Sequence, residues 1–257
     1  MSPAGGAAIA IVPVRLGSAR LPRKALLEEC GRRPLFLHTV AQAGRATLLD
    51  EVVVATDSDE VRERAEEAGV RVVMTGPEAR TGSERCAMAL PALPEAGIVI
   101  DVQGDWPEVP PEDLDALVEA LRGDGEADIA TLSCALDSEA DFRNPHVVKV
   151  VTGARDQALY FSRAPIPSSK GGVFSGDKGW RLGRRHVGVY AVRRAALASL
   201  PDLPDSPLEQ REELEQLRWL AAGLTILVLP SKGRPRGIET RDDYEGFLTR
   251  LSRSRGA

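Results

Sequence analysis

Through the first half of the chain, apolar residues fall into short β-branched runs separated by polar stretches of helical spacing. The run at 8–14 (AIAIVPV) ends at charged and glycine residues, as a strand buried on both faces of a parallel sheet does. Spacing then predicts a helix over 35–46, a strand at 51–55 (EVVVA) and a charged surface helix at 58–68, capped by Asp57 or Ser58 and ended by Gly69. A third strand follows at 70–73, a helix at 83–93, and a fourth strand at 97–102 (GIVIDV) that runs into Gln103-Gly104-Asp105. Strands alternating with helices fold by right-handed crossovers into an α/β architecture, an open and mostly parallel sheet flanked by helices. Ligands of such sheets sit at the carboxyl ends of the strands.

The second half is less regular. A helix is expected at 111–121, strands at 128–135, 147–151 and 158–161 with an antiparallel pair among them, and a mobile glycine-rich loop at 168–183. One long helix is expected over 208–222 with Gly223 past its end, then a strand at 225–229 and a terminal helix at 241–251. No repeat or low-complexity linker divides the 257 residues, so a single domain is expected, with residues 1–7 as a disordered lead-in.

Composition narrows the function by exclusion. With 43% hydrophobic residues the chain is too apolar for a disordered tail, and it has no apolar run near the ~20 residues of a membrane span. Net charge is −5 and aromatics are 4%, so neither the basic field nor the stacking platform of a nucleic-acid binder is present. The lead-in lacks the features of a secretory signal, which points to the cytoplasm. Cys30, Cys86 and Cys134 form no CxxC and are expected as free, mostly buried thiols.

Against that acidic total, the loop after the first strand is basic. Residues 13–26 read PVRLGSARLPRKAL and place Arg15, Arg20, Arg23 and Lys24 beside Gly17 and Ser18 at a strand end. Guanidinium forks, an ammonium and accessible backbone N–H groups suit a polyphosphate, although a solvated basic surface has the same composition. The run is neither a P-loop nor GxGxxG, which disfavours a nicotinamide-dependent oxidoreductase.

The same run resembles the nucleotide-sugar cytidylyltransferase signature P-A-R-x-x-S-x-R-L-P-x-K, and most closely the 3-deoxy-manno-octulosonate (KDO) cytidylyltransferases. Similar blocks follow in the same order over nearly the whole chain: Ala55-Thr56-Asp57, Thr81 to Arg85, Val102 to Asp105, Asn144-Pro145 with Val148 to Val151, and Ala158 to Pro167. Arg185-His186-x-Gly188-x-Tyr190, Ser206 to Glu209 and Leu214 to Arg218 complete the series. The resemblance implies a Rossmann-like nucleotidyltransferase fold with a smaller antiparallel acceptor and dimerisation subdomain at about 141–195, and a homodimer. The implied reaction joins CTP to a sugar-acid acceptor, KDO, with release of pyrophosphate; lipopolysaccharide synthesis is the pathway that comes with it.

The resemblance also implies roles. Arg15, Lys24 and Asp105 are the expected catalytic residues. Pro13, Val14, Arg15, Ser18, Arg20, Lys24, Asp57, Ser83, Arg85 and Gln103 would bind the nucleotide, and Gln103, Arg163, His186, Tyr190, Glu215 and Gln216 the acceptor. Asp105 and Glu239 would hold Mg²⁺, whose preference is for oxygen ligands. Three positions depart from the family pattern. Glu239 stands for the aspartate of G-x-D-T-x-x-D, Trp106 for the glutamate of Q-G-D-E-P, and Arg23-Lys24-Ala25 for G-K-P. They leave the acceptor open between KDO and a different acid, such as another keto-deoxy sugar acid or a phosphonate. A CTP-binding protein without turnover is the remaining class.

Overall fold

Strand β1 (Ala7–Val14) is buried along its whole length beyond Ala7, and its side chains alternate between two apolar layers. Ala8, Ala10, Val12 and Val14 face one layer with Phe36 and Leu117, whereas Ile9 and Ile11 face the other with Cys86, Leu197 and Trp219. Fully burying each such isoleucine contributes about 1.5–3 kcal/mol, which makes β1 the centre of the fold. The computed structural model describes residues 6–18, 21–29, 33–170 and 178–255.

Around β1 lie α1 (Leu35–Ala43), β2 (Glu51–Thr56), α2 (Asp59–Glu67), β3 (Arg71–Met74), α3 (Gly82–Ala89) and β4 (Ala96–Val102). Ser58 accepts from the Val61 N–H and so caps α2, and Gly69 turns the chain at φ 74°. The chain continues through α4 (Pro111–Gly123), β5 (Ile129–Ala135), α5 (Glu139–Arg143), β6 (Lys149–Thr152), β7 (Ala158–Ser162) and β8 (Arg184–Arg193). It closes with α6 (Arg194–Ser199), α7 (Pro207–Glu212), α8 (Gln216–Ala221), β9 (Ile226–Pro230) and α9 (Arg241–Arg255). The main sheet has the order β3-β2-β1-β4-β8-β5-β9. Pairing is parallel except for β8, which runs antiparallel to both β4 and β5. This is the mixed α/β, mostly parallel sheet expected from the pattern.

Four expectations change. The helix expected over 208–222 is two helices, because Glu213 adopts a left-handed conformation at φ 52° and breaks the hydrogen-bond run between α7 and α8. The segment 184–193 supplies the antiparallel strand at the middle of the sheet, although it opens on the polar Arg184, Arg185 and His186 and carries Gly188 within its apolar run. Consequently 141–195 is not one insertion: β6 and β7 stand off the main path, while β8 belongs to it. Residues 178–182 of the expected loop form a 3-10 turn, and 171–177 lie outside the described residues, as do 1–5 of the lead-in and Cys30. Cys86 and Cys134 are free and buried, as expected.

Candidate active site

The carboxyl ends of β1 and β4 converge on the loop Gln103-Gly104-Asp105. Gly104 lies close under β1, where a Cβ would meet Val14 at 3.3 Å, and its carbonyl accepts from Thr39 at 3.0 Å. The Trp106 N–H closes the turn on the Gln103 carbonyl at 3.0 Å. Two adjoining cavities open there. The larger, about 880 Å³, extends over β8 toward α7 and α8, and the smaller, about 340 Å³, lies beneath the basic loop. Arg15, Gln103, Asp105 and Glu239 line both.

Pro13, Val14, Arg15, Ser18 and Lys24 line the smaller cavity, so part of the basic loop borders a pocket, with Arg15 still exposed to water. Lys24 is the link between distant segments: its ammonium pairs with the Asp105 carboxylate and donates to the Ile238 carbonyl at 2.7 Å. Ile238 in turn donates its N–H to the Asp105 carbonyl at 2.9 Å, which brings Glu239 to the same rim. Asp105 and Glu239 are thus gathered at one place, 134 positions apart in sequence, with a cation already between loop and carboxylate. Arg23 sits at φ 55°, a left-handed conformation that favours glycine, and turns its guanidinium outward to Glu60 at 2.5 Å. Arg20 lies outside the described residues.

Three expected nucleotide contacts are placed differently. Ser83 is fully buried and donates to Asp101 at 2.7 Å, and Arg85 is buried against Thr75 at 2.6 Å and Asp57 at 3.3 Å. Neither Ser83, Arg85 nor Asp57 lines the two cavities. Their work is to anchor the start of α3 on the ends of β2 and β4. Gln103 does reach the site, over Gly82, and its amide donates to Asp101 at 2.7 Å.

The expected acceptor residues all line the larger cavity. Arg163, however, spends its guanidinium on the carbonyls of Glu212, Pro145 and Glu213 at 2.6, 3.1 and 3.2 Å, so it ties β7 to the break after α7. That break lets Glu215 and the buried Gln216 approach the cavity from the start of α8. His186 is buried with Nε2 3.0 Å from Thr131, and burial pushes its pKa down to about 3. Burial and the carboxylates of Glu215 and Asp101 push the Tyr190 phenol well up. Trp106 forms a wall between Gly188 and Gly237, where a Cβ would meet its ring at 3.6 and 3.1 Å.

Sequence reasoning missed Asp101. It is 0% exposed, sits opposite Tyr190 in the β4–β8 register, and has its pKa raised to about 8, first by burial and then by Glu215. Glu215 is shifted the same way by burial, and its Oε2 is buried without a hydrogen-bond partner. A lone carboxylate inside an otherwise apolar strand, GIVIDV, was the available signal. Lys149 was missed as well: its buried ammonium holds the carbonyls of Asn144, Val147 and Arg163 at 2.9, 2.5 and 2.7 Å, and burial lowers its pKa to about 8.

Comparison with known proteins bears on the family and the fold. Residues 9–226 match the family model described as cytidylyltransferase. A 3-deoxy-manno-octulosonate cytidylyltransferase of Nitratidesulfovibrio vulgaris is 40% identical over 249 residues, 96% of either chain. One from an Anaeromyxobacter species is 42% identical over 236 residues, covering 91% of this chain and 93% of that one. The solved structure of a CMP:2-keto-3-deoxy-manno-octonic acid synthetase complexed with CTP superposes with a TM-score of 0.88 at 34% identity, over 96% of this chain and 99% of that one. A family match over residues 9–226 and relatives at 40% and 42% identity over 96% and 91% of the chain lead to one conclusion: this protein belongs to the cytidylyltransferase family.

Proposed function

We propose that the chain transfers CMP from CTP to KDO, releasing pyrophosphate. The observation that carries this reading is the junction of Lys24, Asp105 and the Ile238–Glu239 segment at the mouth shared by the two cavities. A polyphosphate fits the smaller side, where Arg15 and Lys24 stand beside Asp105 and Glu239, and a polyhydroxylated acid fits the larger side with Gln103, His186, Glu215 and Gln216. The acceptor hydroxyl oxygen attacks the α-phosphorus, the bond from that phosphorus to the bridging oxygen breaks, and pyrophosphate leaves with the electron pair. The hydroxyl proton passes to solvent. Such a step needs positioning and charge neutralisation more than covalent help, which Arg15 and Lys24 supply.

Magnesium is part of the proposal. Among the described residues no three His, Cys, Asp or Glu side chains form a metal cluster, and the two carboxylates at the junction are Asp105 and Glu239. One or two carboxylates completed by phosphate and water is the donor set this ion takes. When bound, it would neutralise charge on the phosphates. Lys24 holds the Asp105 carboxylate turned toward the junction, and the longer Glu239 side chain closes the other rim.

A different acid is the second reading, and Trp106 favours it, because an indole wall takes the place of a carboxylate beside Asp105. Pyrophosphate release from CTP and Mg²⁺, measured with KDO and a panel of keto-deoxy acids and phosphonates, tests both. Turnover is expected with KDO; turnover with another acid alone would replace the acceptor, and no turnover with any would remove the reaction.

We further propose a homodimer acting in the cytoplasm, in lipopolysaccharide synthesis. Among the described strands β7 pairs only with β6, and Leu159 on it is 59% exposed, an edge that another copy would cover. No described helix is long and apolar enough to cross a membrane. Light scattering should give twice the chain mass.

A further inference from the structure

The β5–β8 pair carries an irregularity beside the larger cavity. Thr131 pairs with Tyr190 but the next residue, Leu132, pairs with Val187, so Gly188 and Val189 are extra residues on β8. Bulges of this kind re-aim side chains next to sites. Here the bulge brings two β8 carbonyls to one hydroxyl: Thr131 Oγ1 lies 2.8 Å from the Val189 carbonyl and 3.3 Å from that of Val187, as well as 3.0 Å from His186 Nε2.

A threonine hydroxyl has one hydrogen, and carbonyl oxygens only accept. The hydrogen goes to Val189, so toward His186 the oxygen can only accept, and Nε2 must carry the N–H. The imidazole is neutral, since burial disfavours its charged form and no carboxylate is bonded to it. Its second nitrogen, Nδ1, therefore carries a lone pair. The other contacts of the ring are edge-on packing with Phe161 at 4.8 Å and tilted packing with Tyr190 at 5.5 Å, so among the described residues Nδ1 has no hydrogen-bond donor. His186 lines the cavity.

We infer that Thr131 determines specificity by fixing His186 as its Nε2–H tautomer, so that this part of the cavity offers a hydrogen-bond acceptor and takes a hydroxyl of the ligand rather than its carboxylate. Thr131 is a positioning residue, acting through His186. The consequence for the ligand rests on the reading that the larger cavity holds the acceptor; the tautomer itself does not.

The test uses side-chain ¹⁵N NMR of the free, full-length protein, with the His186 signals assigned by their loss in His186→Gln. Wild type is expected to show protonated Nε2 and unprotonated Nδ1 unchanged from pH 5 to 8. Thr131→Val, close in shape to threonine, should lose that single tautomer and raise KM for the acceptor about 10-fold with a smaller change in kcat. Thr131→Ser, which keeps the hydroxyl, should restore both. A wild-type signal from Nδ1–H or from imidazolium would overturn the inference, as would a Thr131→Val protein with the tautomer and KM of wild type. If the tautomer is as stated but no acid turns over, the inferred lock stands and the proposed reaction fails.

Discussion

Lys24 is restrained at both ends of its ammonium, by the Asp105 carboxylate and the Ile238 carbonyl, and is only partly accessible. A preorganised cation at the point where phosphate charge develops is worth on the order of 10²–10³ in rate. Lys24→Met should lower kcat in the pyrophosphate assay by that factor, and a loss under threefold would remove Lys24 from the chemistry. Next to it, Arg23 occupies a left-handed conformation at an exposed position. Its ion pair with Glu60 is solvent-exposed and worth little, whereas the backbone cost is about 1–2 kcal/mol. Arg23→Gly is therefore expected to raise the melting temperature by about 2–4 °C, read by calorimetry. The resemblance to G-K-P had pointed to a glycine here, and the backbone angle gives the reason.

At the scale of elements, the start of α3 is a platform. Thr81 caps it by accepting from the Glu84 N–H, Ser83 bonds Asp101, and Gly82 passes under the Gln103 amide. A Cβ at Gly82 would fall 2.2 Å from Gln103 Nε2, so the amide must move and lose Asp101. Gly82→Ala should raise KM for the acceptor about 10-fold while costing little stability, since only a side-chain tip is displaced. Equal loss of kcat and melting temperature instead would mean that α3 itself had shifted. The periodic signals made β1, β2, α2, α3 and β4 legible, because the strands are short continuous apolar runs and the helices carry apolar residues at helical spacing. They did not reveal β8, whose first residues are Arg184, Arg185 and His186, or the break at Glu213, where a charged residue takes a conformation that its type does not advertise.

Over the whole molecule, the buried pair Asp101 and Glu215 couples stability to pH. The Asp101 pKa lies near 8 in the folded chain against an ordinary 3.8, so the folded state holds more protons than the unfolded one between those values. Its contribution is complete below the ordinary pKa and is lost as pH rises toward 8. Asp101→Asn, which stays neutral, should therefore become progressively more stable than wild type as pH is raised from about 4 to about 8, measured by denaturant unfolding. Parallel curves would show that Asp101 ionises normally. Among the described residues, Thr81, Ser83, Cys86, Gln103 and Tyr190 face this pair, and the Glu209 carboxylate adds repulsion at Glu215.

By itself the sequence determined the α/β class and the strand-end basic loop, because apolar periodicity and local charge are properties of neighbours along the chain, whereas Asp105 and Glu239 became candidate carboxylates through the family resemblance. Tertiary structure alone decided which of the expected site residues share a cavity. It joined Lys24 to Asp105 and the Glu239 segment, turned Arg163 to backbone carbonyls and buried Ser83 and Arg85 beneath the site. It also set Thr131 against His186 across 55 positions. Those pairings depend on strand order and on a bulge in β8, which are set by how the whole sheet closes rather than by any local run of residues.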